Sequence, residues 1–316
     1  MTADAPTVSI LMASYNGARF LQAAIDSVLA QTHTAWELLI VDDASSDDSA
    51  TLADHAALLD SRIQVFRHPT RGGPGAARNR ALDAARGDWV AVMDADDLIS
   101  PDRLERLLAR AGADAARIVA DNQELFWEDP PKRSLYLTAE ALPAPAWIDL
   151  RDFIACEAGG VKLPPLGYLK PLINRALIEA IGLRYDPRLP IGEDYDFLAR
   201  LLAGGERLRL DPAAMYRYRR HAGSISHRAP QQALTALLAA DDRFRADHAQ
   251  LSAPVVRALT ARRASLATLL AWERFAAHLK RREVGAALAV LAGRPALMSK
   301  FAEPLAARLS RLRARA

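Results

Sequence analysis

The stretch that most constrains this chain is Asp88-Trp89-Val90-Ala91-Val92-Met93-Asp94-Ala95-Asp96-Asp97. Trp89 to Met93 is a short continuous apolar run, the pattern of a strand buried on both faces. It breaks abruptly into three carboxylates, Asp94, Asp96 and Asp97. Crowded carboxylates repel one another and resist burial unless a cation or hydrogen-bond donors neutralise them. Open α/β sheets gather their ligands at the carboxyl ends of strands, which is where this cluster falls. One reading is a divalent metal holding the phosphates of a substrate. The other is a solvated acidic turn ahead of a helix that starts near Pro101, with Ser100 as its N-cap.

The flanking sequence repeats the same unit. Strands are predicted at Val8–Ala13, Leu38–Val41, Ile63–Phe66 and Arg117–Ala120, with helices at Ala18–Gln31, up to Leu59, Ala76–Ala85 and Pro101–Arg110. Strand and helix alternate through the first 120 residues, which predicts a doubly wound, largely parallel sheet. Residues 128 to 166 break the pattern with six prolines and weak periodicity, the composition of a lid or binding loop. Regularity returns with helices near Arg175–Ile181 and Glu193–Leu202 and a strand at Leu208–Tyr218. From Gln231 onward the chain is Ala/Leu/Arg-rich and helical.

A chain of 316 residues can bury a full core and hold one large domain with an appendage. Cys156 is the single cysteine, which excludes an internal disulfide and a cysteine-rich zinc site. No apolar stretch reaches the ~20 residues that span a bilayer, and no basic-then-apolar leader opens the chain, so a cytoplasmic location is expected. The net charge of +3 conceals an asymmetry: from Arg257 onward thirteen Lys or Arg face three Glu, a balance of +10 that leaves about −7 for everything before it. An acidic body argues against nucleic acid as partner, because a phosphate backbone needs positive charge around its site.

Other residues carry two readings each. Tyr15, after the first strand, is placed to stack on a flat base, and Asp43, after the second, to accept from a base N–H or a ribose hydroxyl. Both also belong to turn-forming runs in which Ser45 or Ser46 caps a helix. Gly72 to Gly75 fits neither a Rossmann fingerprint nor a P-loop and reads as a tight turn into a helix; Arg78 beyond it is a ligand contact or an ion-pair partner. Glu193 and Asp194 complement a helix dipole or supply a general base. His221 is a surface residue after a strand or a metal ligand. Phe126, Trp127, Tyr136 and Trp147 suit sugar stacking or a small core. Lys162, Tyr168 and Lys170 contact an acceptor diphosphate or are ordinary solvated side chains.

The order Val8-to-Asn16, Ile40-to-Ser49, Ala77-Arg78-Asn79, Met93-to-Asp97, Gly192-Glu193-Asp194 and Tyr218-to-Ser226 resembles glycosyltransferase family 2, the inverting enzymes with the nucleotide-sugar-binding GT-A fold. The resemblance covers about residues 7 to 227 and is most similar to bacterial exopolysaccharide transferases, including succinoglycan-type glucosyltransferases. It implies an α/β GT-A catalytic domain with a doubly wound mixed sheet over residues 1–230, with a nucleotide-sugar half at 1–125 and an acceptor half at 126–230. A helical, basic region follows at 231–316. It implies donor contacts from Ala13, Tyr15, Asp43, Arg78, Asp94, Ala95 and Asp96. Mn²⁺ or Mg²⁺ would be held by Asp96, Asp97 and His221, with Asp194 as base and Trp127, Glu193 and Tyr168 toward the acceptor. Many relatives carry Thr or Pro where this chain has Ala13. The chain also lacks the Gln-x-x-Arg-Trp motif of processive synthases, which implies transfer of single sugars, with UDP as the nucleotide by resemblance.

The alternatives are an inactive membrane-associated scaffold, against which the intact Asp94, Asp96, Asp97 and Asp194 speak, and a phosphotransferase or nucleotidyltransferase. The aspartyl phosphotransferase pattern is broken by Leu98, and Ser14 to Arg19 lacks a nucleotidyltransferase's Gly-rich basic loop. Lys300 to Arg315 places Phe301, Leu305, Leu309 and Leu312 on one stripe with arginines around it. Such a helix suits an anionic membrane surface, as a lipid-linked acceptor would favour, or packing on the body or a second subunit.

Overall fold

The computed structural model describes residues 6–142, 146–158, 163–221, 230–294 and 297. Its contacts divide the chain into two units, Met1–Ser226 and His227–Ala316. The first unit opens with β1 (Val8–Ser14), α1 (Ala18–Leu29), β2 (Trp36–Asp42), α2 (Ser49–Leu59), β3 (Ile63–Arg67), α3 (Pro74–Ala84) and β4 (Trp89–Asp94). Strands β3, β2, β1 and β4 lie side by side and all parallel, as their alternation with helices predicts. The register sets Ser14 beside Asp42 and Ala13 beside Asp94, so three strands deliver their polar ends to one edge.

Beyond β4 the sheet is mixed, as the resemblance implies, where the strand–helix alternation alone predicts a largely parallel one. The order of elements is β5 (Leu98–Ile99), α4 (Arg103–Ala113), β6 (Ile118–Trp127), β7 (Lys132–Leu135), β8 (Trp147–Ile148), α5 (Leu150–Ala158), a 3₁₀ turn (Leu166–Tyr168), β9 (Leu172–Asn174), α6 (Arg175–Ala180), α7 (Glu193–Leu202) and β10 (Leu208–Arg219). The short β9 inserts antiparallel between β4 and β6, and β10 runs parallel to β6. The sheet is therefore mixed.

The region 128 to 166, expected as a lid, instead contributes strands and a helix: β7 pairs with β6, β8 with β10, and α5 buries Phe153, Ile154 and Cys156. Strand β6 also runs well past Ala120. Its polar middle hid it, because Asp121, Asn122 and Gln123 are buried only by virtue of distant partners. Asp121 pairs with Arg103 at 2.8 Å, Asn122 donates to the Leu137 carbonyl, and Gln123 donates to the Tyr168 carbonyl. Arg103 is itself 1 % exposed on the inner face of α4, so breaking this pair would strand a charge in the core. Helix α4 starts at Arg103 after Asp102, without the side-chain cap expected of Ser100.

The second unit is helical, as expected: α8 (Gln231–Asp247), α9 (Ala253–Lys280) and α10 (Val284–Gly293), with α9 packed on both neighbours. Arg262 pairs with Asp241 between α9 and α8 where both are buried. Val284, Leu288 and Leu279 are exposed. No helix among the described residues is long and apolar enough to cross a membrane. The basic stripe from Lys300 to Arg315 lies outside the described residues.

Candidate active site

The turn after β1 and the loop after β2 are stitched together by hydrogen bonds. The amides of Asn16, Gly17 and Ala18 donate to Ser45 Oγ, Ser49 Oγ and Asp47 Oδ2 at 2.9, 2.9 and 3.0 Å. The amide of Ser46 donates back to Asn16 Oδ1 at 2.8 Å. The Asp/Ser run thus satisfies the open amides at the start of α1 as well as forming its own turn. Neither Ser45 nor Ser46 caps α2, whose N-cap is Asp48. Tyr15 stands at the edge 41 % exposed, with the Arg71 guanidinium 4.0 Å from its ring centroid.

Asp43 is buried and occupied. Oδ1 takes the Gly72 amide at 2.8 Å and His68 Nδ1 at 2.7 Å, and Oδ2 takes the Gly73 amide at 2.7 Å. Gly73 has φ +85°, a left-handed conformation that admits the sharp entry into α3. The glycine run is a tight turn, and Asp43 is the residue that fastens it.

At the end of β4 the three carboxylates differ in what holds them. Each offers an oxygen within 4.8 Å of the others. Asp97 points inward at 1 % exposure, accepting from Tyr216 Oη at 2.7 Å and the Arg219 amide at 2.7 Å. Burial, with the charges of Asp96 and Asp94 beside it, pushes its carboxyl well above the usual range. Asp96 is the most exposed of the three, its side chain 36 % accessible, with His221 Nε2 at 3.0 Å from Oδ2. His221 packs on the Phe20 ring of α1 at a centroid distance of 4.7 Å. Arg219 donates from Nε to the Asp96 carbonyl at 2.6 Å, fixing the backbone of the turn. Carboxylate oxygens and an imidazole together make a donor set that could hold a divalent cation.

Asp94 belongs to a second cluster. Arg78, 3 % exposed, reaches Asp94 Oδ1 at 2.6 Å, Asp194 Oδ1 at 3.2 Å and Glu193. Lys170 Nζ lies 2.8 Å from Asp94 Oδ2 and 2.7 Å from Asp194 Oδ2. Two cations therefore tie the end of β4 to the first turn of α7. Lys170 is 5 % exposed, which overturns the expectation of a solvated lysine. Its place in the apolar run Leu166–Ile173 was the signal, since a lone charge in such a run must find a partner. Lys162 lies outside the described residues.

The same cations shape acid stability. Burial alone would raise the Asp94 carboxyl, but Lys170 and Arg78 override it and hold it at about 2. A folded value below the unfolded 3.8 adds stability that is complete above about pH 4 and is lost as pH falls through about 2. The difference in urea stability between wild type and Asp94→Asn should be largest near neutrality and shrink steadily below about pH 4. A gap that stays constant down to about pH 2 would show that these ion pairs do not act on Asp94 as drawn.

Toward the expected acceptor side, Trp127 has Lys132 Nζ and the Arg220 guanidinium 5.0 and 5.6 Å from its ring centroid. Tyr168 is 40 % exposed and meets Tyr136 edge-on at 6.4 Å. Glu193 is buried, and burial raises its carboxyl even though Arg78 pulls the other way. Arg219 and Tyr216, which clamp the acidic turn, were given no role from the sequence, where Tyr216 reads as part of the strand Leu208–Tyr218 and Arg219 lies just beyond it.

Residues 9–148 match the sequence profile of Glycosyl transferase family 2. Across 98 % of this chain and 88 % of the relative, the sequence is 37 % identical to the succinoglycan biosynthesis protein ExoO of Rhizobium meliloti (strain 1021). The chain belongs to glycosyltransferase family 2. S. aureus TarS 1–349 in complex with UDP-GlcNAc superposes with a TM-score of 0.67, at 17 % identity over 90 % of this chain and 79 % of that one. The mannosyltransferase PcManGT of Pyrobaculum calidifontis, solved with GDP-Man and Mn²⁺, gives 0.61 at 18 % identity over 96 % and 81 %. At these identities the likeness is one of fold, and it places the family 2 chain among GT-A transferases.

Proposed function

We propose that this protein is an inverting, metal-dependent glycosyltransferase that moves a single hexose from a UDP-sugar to a lipid-linked saccharide in exopolysaccharide synthesis. The observation that carries the reading is the shared edge: Tyr15, the Asp96–His221 pair and Asp194 converge there, with Lys170 touching both Asp94 and Asp194. The exopolysaccharide assignment draws on the ExoO relative, and UDP draws on the UDP-GlcNAc complex of the structural neighbour.

In this reading the base stacks on Tyr15 near Ala13, with Asp43 shaping the adjoining glycine turn. Asp94 and Ala95 line the donor side beside Arg78. Asp96 and His221 would hold Mn²⁺ or Mg²⁺, with Asp97 anchoring their turn from behind. When bound, the ion would supply Lewis-acid chemistry that neutralises charge on the departing diphosphate. Asp194 takes the proton from the acceptor hydroxyl as it attacks the anomeric carbon from the face opposite the diphosphate. That single displacement inverts the centre. Trp127 and Tyr168 offer flat faces to the acceptor sugar, and Glu193 holds Arg78 against Asp94 and Asp194.

Calorimetric titration with UDP, with and without Mn²⁺, tests the donor site. Metal-dependent binding supports it; a folded protein that binds UDP in neither condition sinks it.

The basic C-terminal region would bring the enzyme to the inner face of the cytoplasmic membrane, where a lipid-linked acceptor resides. Truncation after Arg294 should release the protein from vesicles containing anionic lipid while leaving UDP binding intact. Unchanged vesicle partition would point to packing on the body or a second subunit.

A further inference from the structure

We propose that Lys170 is a positioning residue for Asp194, its ammonium fixing the carboxylate at Oδ2 while the Arg78 guanidinium backs the buried Oδ1. The role rests on Asp194 as the base of the reaction proposed above. Lys170 Nζ takes Asp194 Oδ2 at 2.7 Å. Asp194 Oδ1 is buried and accepts no hydrogen bond among the described residues, with the Arg78 guanidinium 3.2 Å away. The carboxylate is thus clamped between two cations, Lys170 at Oδ2 and Arg78 at Oδ1.

The lysine is itself fixed at both ends. Its carbonyl accepts from Arg103, which is held by Asp121 in the core. Its ammonium is shared between Asp194 and Asp94. The preceding 3₁₀ turn lies directly on α7. A Cβ on Gly167 would stand 2.9 Å from Tyr195 Cβ and 3.3 Å from Tyr195 Cα, one residue beyond Asp194. The Gly167 amide also donates to Glu157 Oε1 of α5 at 2.8 Å. Only glycine lets this arm come so close, so the backbone carrying Lys170 and the helix turn carrying Asp194 move as one piece. Without Lys170, Asp94, Glu193 and Asp194 would share the single Arg78 guanidinium, and like-charge repulsion would turn Asp194 away.

The probes are UDP binding with Mn²⁺ and hydrolysis of UDP-glucose, UDP-galactose and UDP-N-acetylglucosamine, in which water stands in for the acceptor. Lys170→Met should slow hydrolysis at saturation by about 30-fold or more, with UDP affinity changed less than about 5-fold because Arg78 still holds Asp94. Gly167→Ala, which keeps every charge, should slow it about 10-fold. Combined with Asp194→Asn, Lys170→Met should cost nothing further, since its effect passes through that carboxylate. Hydrolysis by Lys170→Met within about twofold of wild type overturns the role, and so does a double variant slowed by the full single-variant factor. Should Lys170→Met fail to fold by near-ultraviolet circular dichroism, Gly167→Ala at wild-type turnover overturns it instead. A wild-type protein that neither binds UDP nor hydrolyses any of the three sugars sinks the donor reading itself, a result distinct from failure of the lysine alone.

Discussion

Asp194→Asn is expected to lower sugar transfer by about 10²–10⁴-fold while leaving UDP binding with Mn²⁺ within a few-fold of wild type. The amide matches the carboxylate in size but cannot take a proton, so the loss falls on the chemical step rather than on binding. The side chain lies at the first turn of α7 between Lys170 and Arg78, and its contacts to them are 2.7 and 3.2 Å. Removing its charge leaves both cations paired with Asp94, which keeps the end of β4 tied down. A thermal melt close to wild type would show that the fold survives. Transfer undiminished in this variant would revive the reading of an inactive scaffold.

Asp96→Ala should abolish the Mn²⁺ dependence of UDP binding and weaken binding of the metal–nucleotide pair by about 100-fold or more. The backbone of the acidic turn does not depend on this side chain. Arg219 holds the Asp96 carbonyl, and Tyr216 with the Arg219 amide holds Asp97. The substitution therefore removes an exposed carboxylate and leaves its scaffold standing. Titration of the variant with UDP alone and with Mn²⁺ present is the measurement. Metal-dependent affinity equal to wild type would move the metal site away from the Asp96–His221 pair.

These expectations depend on a division of labour among carboxylates that look alike in sequence. Asp94, Asp96 and Asp97 are neighbours in the chain, yet one is locked in ion pairs, one faces His221 at the surface and one is buried against β10. Their chain positions showed that charge accumulates at the end of a buried strand. Which carboxylate is left at the surface depends on Tyr216, Arg219, Lys170 and Arg78, and three of these come from far along the chain. Asp43 shows the same limit. Its position after β2 was legible, but its commitment to His68, Gly72 and Gly73 was not.

By itself the sequence determined the alternating strands and helices of the first half, the turns between them and the acidic end of the central strand. Each is written in local period and local turn chemistry, which neighbours in the chain suffice to decide. Only the tertiary structure decided that β9 inserts antiparallel, that the polar middle of β6 is buried, and that Lys170 joins Asp94 to Asp194. A buried charge is tolerated only beside a partner, and folding brings that partner from elsewhere in the chain.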